Sequence, residues 1–170
     1  MPSNIEIKAR VEDLAGLRRA VEAAGARFQG DFPQEDTFFH VLHGRLKLRV
    51  SGVRAELIHY QRTDAAGPKP SIYRLYPVAD PDRLRAVLGA ALGMRGVVRK
   101  LRTLFLVDSM RIHLDQVEGL GSFLELEVML SDEQTPEEGR AIARQWMERF
   151  GIRSAQLIAG AYIDLLERRE

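Results

Sequence analysis

Residues 4–10 read NIEIKAR, a strict alternation of polar and apolar side chains. Because successive side chains of a β-strand point to opposite faces, this alternation predicts a strand that is buried on one face. The three apolar residues share that face, and the other face carries Asn4, Glu6, Lys8 and Arg10. A charged face usually contacts solvent, so the direction in which this one points determines what kind of sheet the chain builds.

Similar alternation recurs along the chain. Strands are predicted at about residues 4–10, 36–42, 45–50, 54–62, 71–77, 96–107, 109–116 and 121–130, with residues 63–70 as a loop. Short links favour antiparallel hairpins. Amphipathic helices are predicted at Asp13–Ala24, Asp80–Gly93, Thr135–Gly151 and Ala155–Glu167, the last of them either continuous or broken near Gly160. They can cover the apolar faces. The predicted fold is α+β, an eight-stranded antiparallel β-barrel with flanking helices, and residues 1–170 are expected to form a single domain.

Composition limits the function classes. The chain has 170 residues, 25 Lys plus Arg against 24 Asp plus Glu, and no cysteine. A nucleic-acid-binding protein usually shows a basic excess, so no nucleic-acid partner is expected. Disulfides and thiolate metal sites are excluded, which makes the cytoplasm the expected location. No apolar segment is long enough for a transmembrane helix and no signal peptide is recognisable, so no membrane partner is expected.

The polar faces of the predicted strands collect far more charge than the overall balance suggests. They carry eight cations, which are Lys8, Arg10, Lys47, Arg49, Arg62, Lys100, Arg102 and Arg111. They also carry four carboxylates, which are Glu6, Asp115, Glu125 and Glu127. Eight strands are enough to close a barrel around one small ligand. If these faces line its interior, a surplus of four positive charges predicts a bound anion; the alternative is an ordinary solvated sheet face.

The carboxylates are confined to three strands. Glu125 and Glu127 are two residues apart, so their side chains project to the same side of one strand. Carboxylate oxygens without thiolates suit Mg²⁺ or Mn²⁺. Arg and Lys are the usual ligands of phosphate oxygens. The pattern therefore predicts a hard-cation site at one wall, surrounded by an anion site.

Several motifs make the chain similar to the CYTH domain family of the triphosphate tunnel metalloenzyme superfamily, and its class IV adenylate cyclase-like and thiamine triphosphatase-like members in particular. The signature E-x-E-x-K corresponds to Asn4-x-Glu6-x-Lys8. Further matches are QEDTFFH (34–40), GRLKLRV (44–50), VVRKLRTLF (97–105) and AYIDLL (161–166). The segment RIHLDQVEGLGSFLELEV (111–128) is the most specific of them.

The resemblance implies a tunnel that is open at both ends and binds a triphosphate small molecule. It implies that Glu6, Asp115, Glu125 and Glu127 bind the metal and that the eight cations bind the triphosphate. Within that set, Glu6, Lys8, Arg49 and Arg102 are the expected catalytic residues. A homodimer is compatible with the resemblance, whereas the sequence itself indicates no oligomeric state.

Three activities follow from the resemblance. Metal-dependent hydrolysis of an inorganic, thiamine or nucleoside triphosphate is favoured because it demands the fewest features. Formation of cyclic AMP from ATP is the alternative. A non-catalytic polyphosphate- or nucleotide-binding module is a third reading, because Asn4 replaces the first signature Glu and adds no charge at the metal.

Other polar residues keep two readings. Asp36 either belongs to the site or caps a turn, and Lys69 either closes over phosphate or is a solvated loop residue. His113 faces the predicted cavity and is expected to be a hydrogen-bonded wall residue rather than a proton carrier.

Overall fold

Eight antiparallel strands close into a barrel in the order β1-β5-β4-β3-β2-β6-β7-β8. The structure, a computed structural model, describes residues 3–169. The strands are β1 (Ser3–Arg10), β2 (Arg27–Phe39), β3 (Arg45–Ser51), β4 (Arg54–Arg62), β5 (Lys69–Pro77), β6 (Met94–Val107), β7 (Met110–Val117) and β8 (Gly121–Met129). The helices are α1 (Leu14–Ala23), α2 (Pro81–Leu92), α3 (Pro136–Arg149) and α4 (Tyr162–Glu167), with a short 3₁₀ turn at Ser154–Gln156. The predicted fold class is confirmed.

The apolar faces of β1, β7 and β8 point outward and are covered by helices. Ile5, Ile7, Ile112, Leu124 and Leu126 are fully buried in one core with residues of α1 and α3. Burial of this apolar surface is the main force that holds the helices on the barrel. The opposite faces of the same strands therefore point into the barrel.

The ends of the helices follow the sequence signals. Thr135 caps α3, and its hydroxyl accepts from the Glu138 backbone N–H (3.3 Å), while the Glu138 carboxylate accepts from the Thr135 N–H (2.7 Å). Asp80 caps α2, which begins at Pro81. In both cases a side chain satisfies a backbone donor that has no partner within the helix.

The structure extends several strands beyond their predicted bounds, and β2 by the most residues. β2 begins at Arg27 rather than residue 36, and its first half pairs with β6 from Arg27–Leu106 onward. That half contains Gly30 and Pro33, is largely exposed and lacks alternation, so its strand conformation depends on pairing with β6. β5 takes in Lys69 and Pro70, which were predicted to belong to a loop.

The last predicted helix is split. Residues 154–156 form a 3₁₀ turn, Leu157 bridges to Ala9 of β1, and α4 begins only at Tyr162. Interior residues Phe38, Val98 and Phe123 pack against Tyr162 and Ile163 of α4. The helix thus lies across one end of the barrel, which differs from the expected tunnel with two open ends.

Ion pairs fasten α4 in this position. Asp164 binds Nη2 of Arg45 at 2.7 Å and Nη2 of Arg95 at 2.5 Å, which joins the helix to β3 and β6.

Within the described range, no helix combines the length and apolarity needed to cross a lipid bilayer.

Candidate functional site

The inward faces of the strands enclose a cavity of about 190 Å³. Its wall carries seven of the eight predicted cations, which are Lys8, Lys47, Arg49, Arg62, Lys100, Arg102 and Arg111. Five carboxylates also line it, namely Glu6, Asp36, Glu56, Glu125 and Glu127. Asp115 lies directly behind Arg102. The positive surplus is therefore smaller than the predicted surplus of four, because Asp36 and Glu56 were not in the predicted set.

Arg10 is the predicted cation that does not line this cavity. It is the last residue of β1 and is exposed. Its Nη1 donates to the Leu120 carbonyl at 2.9 Å, and its guanidinium lies 4.8 Å from the centre of the Phe123 ring. The alternation places Arg10 on the inner face, but its position at the strand end leaves the side chain at the rim.

Asp36 is the centre of one cationic cluster. Its two oxygens accept from Nε and Nη2 of Arg49, each at 2.7 Å, and its Oδ2 lies 3.2 Å from Nζ of Lys47 and 3.4 Å from Nζ of Lys100. Burial by itself would raise the pKa of Asp36, but Arg49, Lys100 and Lys47 outweigh it and hold the pKa well below its ordinary value. Asp36 therefore belongs to the cavity and is not a turn cap.

Burial has the opposite effect on the lysines of this cluster. It lowers the pKa of Lys47 to about 8, with a further contribution from Arg49. Burial and the charge of Arg102 hold the pKa of Lys100 well below its ordinary value. A negative ligand beside these lysines stabilises their charged ammonium form and raises their pKa values again. Anion binding therefore favours the protonated state that burial disfavours.

Arg102 organises the second cluster. Its Nε and Nη2 donate to the two oxygens of Asp115 at 2.8 and 2.7 Å, and Nη2 also donates to Oε2 of Glu125 at 3.0 Å. The hydroxyl of Tyr162 donates to Oδ2 of Asp115 at 2.7 Å. Asp115, which the sequence predicts to be a metal ligand, has both oxygens occupied by these contacts.

Glu6 is likewise paired with a cation. Its carboxylate accepts a hydrogen bond from Nη1 of Arg62, and both side chains are buried. Burial would lower the pKa of Arg62, but the charge of Glu6 outweighs it and raises the pKa above its ordinary value. This pair fixes the guanidinium of Arg62 against the wall of the cavity.

The structure brings a histidine to the two remaining predicted metal ligands. His113, Glu125 and Glu127 each offer one donor atom, and these atoms lie within 4.8 Å of one another. Burial and the charge of Arg102 lower the pKa of His113 to about 3, so its imidazole is neutral. Burial and the charges of Glu125 and Glu6 raise the pKa of Glu127 to about 7.

Among the His, Asp and Glu side chains of residues 3–169, these three form the group whose donor atoms lie close enough together to hold a metal ion. The Nδ1 atom of His113 is buried and has no hydrogen-bond partner among residues 3–169. A neutral imidazole and two carboxylates are a common donor set for divalent metals. The structure thus places His113 beside Glu125 and Glu127, while Glu6 contacts Arg62, and Asp115 and Glu125 both contact Arg102.

Lys8 and Lys100 lie over the ring of Tyr162, with Nζ 4.0 Å and 5.2 Å from the ring centre. An aromatic face stabilises a nearby cation, and it does so without neutralising its charge. Burial lowers the pKa of Lys8, although Glu125 opposes that effect. Tyr162 was present in the segment AYIDLL, but alternation along strands gives no signal for a residue that enters the barrel from a helix.

Lys69 is neither a solvated loop residue nor a side chain that reaches into the cavity. Its side chain is buried, and Nζ donates to the carbonyl oxygens of Ala65 at 2.5 Å and Ala159 at 3.0 Å. The lysine thus joins the loop before β5 to the segment before α4. Burial and the charge of Arg62 lower its pKa to about 8.

A family model described as "CYTH domain" matches residues 3–162 of the chain. An adenylate cyclase CyaB from Aeromonas hydrophila is 26% identical over 96% of this chain and 88% of its own length. A putative adenylate cyclase from Methanocaldococcus jannaschii is 22% identical over 95% of this chain and 97% of its own length. The solved structure of the PH1012 protein from Pyrococcus horikoshii OT3 has a TM-score of 0.87 and 27% identity, covering 95% of this chain and 98% of that one.

Proposed function

The chain belongs to the CYTH family, and on that basis we propose that it is a metal-dependent phosphohydrolase that acts on a small-molecule triphosphate. One observation carries the proposal. Seven cationic side chains surround a single cavity whose lining also includes Glu125 and Glu127. A polyanion complements the cations and a divalent ion complements the two carboxylates, so the two bound together match the charges of the cavity.

The phosphate chain is proposed to bind between the cluster centred on Asp36, which contains Arg49, and the cluster organised by Arg102. Arg49 and Arg102 present planar guanidinium groups, which can bind phosphate oxygens through two parallel hydrogen bonds. Lys8, Lys47 and Lys100 add point charges. Asp36 and Asp115 hold the two arginines in place through bonds of 2.7 Å each. Positioning of the phosphates therefore requires little reorganisation of the protein when the ligand enters.

Glu6, Lys8, Arg49 and Arg102 are proposed as the catalytic residues. In hydrolysis a water oxygen forms a bond to the terminal phosphorus, and the bond from that phosphorus to the bridging oxygen breaks. Arg49, Arg102 and Lys8 neutralise charge that develops on the transferred and leaving groups, which is the main protein contribution to phosphoryl transfer. Glu6 holds the Arg62 guanidinium at the wall. Mg²⁺ or Mn²⁺, bound by Glu125 and Glu127, would neutralise phosphate oxygens and orient them.

Cyclisation of ATP is the second candidate, and the Aeromonas relative named adenylate cyclase favours it. In that reaction the ribose 3′-hydroxyl attacks the α-phosphorus and diphosphate leaves. The same cavity could serve both reactions, since they differ in which phosphorus meets which nucleophile.

A non-catalytic binding module is the third candidate, and Asn4 is the observation behind it. Its side chain is buried at the cavity wall, and its Oδ1 has no partner among the residues that the structure describes. An amide oxygen at this position can contact an ion, yet it contributes no negative charge. Binding of tripolyphosphate without turnover would identify this case.

One assay separates the three candidates. Phosphate release is measured with tripolyphosphate, thiamine triphosphate and ATP, each with Mg²⁺ or Mn²⁺, and cyclic AMP is measured in the ATP samples. We expect phosphate release that requires the metal and is abolished by EDTA. Glu127→Gln should remove it by lowering charge at the ion, whereas Glu148→Gln, on the exposed face of α3, should leave it unchanged. Phosphate release that persists in EDTA would contradict the proposal.

The remaining expectations also stand as proposals. These are a single domain over residues 1–170, a cytoplasmic location, a homodimeric state, and the absence of nucleic-acid and membrane partners. Size-exclusion chromatography with light scattering tests the oligomeric state directly.

A further inference from the structure

We propose that His113 supplies a nitrogen ligand to the divalent ion at Glu125 and Glu127, and that this nitrogen makes the site select Mn²⁺ over Mg²⁺. The inference rests on the metal site of the proposed function and adds a residue that determines its metal specificity. It assigns a role in binding to a side chain that the sequence indicates only as part of the cavity wall.

The strand register places the imidazole at the carboxylates. His113 of β7 lies directly opposite Glu125 of β8, and the neighbouring inward position on β8 is Glu127. Nδ1 of His113 lies 3.9 Å from Oε1 of Glu127. Bonds of roughly 2.0–2.3 Å from an ion place two of its ligands roughly 3–4.5 Å apart. The separation is too long for a hydrogen bond and falls within the range for two ligands of one ion.

The imidazole nitrogen lacks another partner. His113 is 5% exposed. Its Nδ1 has no hydrogen bond to any of the described residues 3–169. A buried polar atom without a partner costs free energy, so native proteins rarely keep one without a ligand or an ordered water to satisfy it. One donor atom each of His113, Glu125 and Glu127 lies within 4.8 Å of the others, so a single cation there would contact all three groups.

The other candidate ligands are already engaged. Asp115 binds Arg102 and Tyr162, and Glu6 binds Arg62. Recruitment of either carboxylate to an ion would require it to leave a buried arginine, which is costly. His113 requires no such exchange. Its Nδ1 can bind an ion without breaking a described hydrogen bond, whereas Glu125 shares its carboxylate with Arg102.

A nitrogen donor changes which ion fits best. Mg²⁺ is a hard cation that prefers oxygen ligands and gives up its water reluctantly. Imidazole suits first-row transition metals, whose affinity for nitrogen sites increases from Mn²⁺ toward Cu²⁺. A site of two carboxylates and one imidazole should therefore bind Mn²⁺ more tightly than Mg²⁺. Removal of the nitrogen should reduce this difference.

The deciding measurement is pulsed electron paramagnetic resonance on the protein with Mn²⁺ alone, because it detects a directly bonded nitrogen without any reference to turnover. We expect ¹⁴N modulation from one imidazole in the wild-type protein, replaced by the ¹⁵N pattern when the protein is labelled with ¹⁵N-histidine. The labelled wild-type sample needs no variant, so a folding defect cannot obscure the result. Bound Mn²⁺ that shows no nitrogen modulation would overturn the inference, and so would failure to bind Mn²⁺ at millimolar concentration.

A variant measures the specificity. His113→Asn places an amide oxygen near the position of Nδ1, so a carboxylate and oxygen site remains. By calorimetry, the dissociation constant for Mn²⁺ should rise roughly tenfold or more, while that for Mg²⁺ changes by roughly twofold or less. The exposed His40 provides the matched control, His40→Asn, which should alter neither. Equal losses for the two ions in His113→Asn would contradict a role for the nitrogen.

The two proposals fail in different ways. Nitrogen-bound Mn²⁺ together with no hydrolysis of any triphosphate would refute the proposed function and leave this inference intact. Metal-dependent hydrolysis with Mn²⁺ bound by oxygen alone would do the reverse.

Discussion

Replacement of Asp36 by Asn tests whether one buried carboxylate holds the cationic cluster together. The substitution keeps the size of the side chain and removes its charge. Asp36 is 1% exposed and contacts Arg49, Lys47 and Lys100 at 2.7, 3.2 and 3.4 Å. Without the carboxylate, three cations remain in the cavity wall with no opposite charge at this point, and one amide oxygen replaces two charged acceptors.

The magnitude follows from burial. Removal of one partner of a buried ion pair costs about 3–5 kcal/mol, because the other partner stays buried without compensation. For a chain of this length, about 1 kcal/mol lowers the melting temperature by about 2–4 °C. Asp36→Asn should therefore melt roughly 6–20 °C below the wild-type protein.

Asp82→Asn is the matched control. Asp82 also binds an arginine, with 2.8 Å to Nη1 of Arg85, but its side chain is 89% exposed. An exposed pair contributes about 1 kcal/mol or less, so the melting temperature should fall by no more than about 4 °C. Thermal unfolding by circular dichroism at pH 7 gives both values.

Tripolyphosphate extends the test. Because it can replace the missing charge, it should raise the melting temperature of Asp36→Asn more than that of the wild-type protein. Equal melting temperatures for the Asp36 and Asp82 variants would refute the reasoning, since they would mean that the three cations do not depend on Asp36.

Three further predictions concern charge, metal and packing. Lys47 has a pKa of about 8 and is charged below that value, so tripolyphosphate affinity should fall as pH rises from 7 to 9. Lys47→Arg should flatten this profile in calorimetry, because a guanidinium stays charged, and equal pH slopes would contradict the assignment. Asn4→Glu should lower the half-saturating Mn²⁺ concentration several-fold, since an added charge near an ion is worth on the order of 1–4 kcal/mol; superimposable titrations would show that Asn4 does not influence the ion. Gly139→Ala should destabilise the fold by about 1–3 kcal/mol in urea unfolding, because a Cβ there would lie 2.6 Å from Ile5. Gly89→Ala meets nothing within 4 Å and should stabilise it by roughly 0.5–1 kcal/mol, so a Gly139 variant as stable as the Gly89 variant would contradict close packing of α3 on β1.

The sequence by itself determined the barrel and most of the charged residues that line its cavity. Alternation in β1, β3 and β6–β8 separates apolar from charged faces, and the helix caps at Asp80 and Thr135 mark where the covering helices begin. These signals are local, because side-chain direction along a strand and donor satisfaction at a helix end depend on neighbouring residues. The resemblance to the CYTH family adds the triphosphate and the metal.

Depth along the barrel and the partner of each charge were decided only by the tertiary structure. Arg10 and Lys8 share one face of β1, yet one lies at the rim and the other inside the cavity. Asp36 and His113 were visible in the sequence, but their roles depend on which strands lie beside β2 and β7. The first half of β2 has no alternation of its own and is a strand because β6 pairs with it. Strand register and barrel closure arise from hydrogen bonds between segments far apart in the chain. Alternation therefore predicts the face of the sheet to which a side chain points, but not which residue of the adjacent strand it contacts.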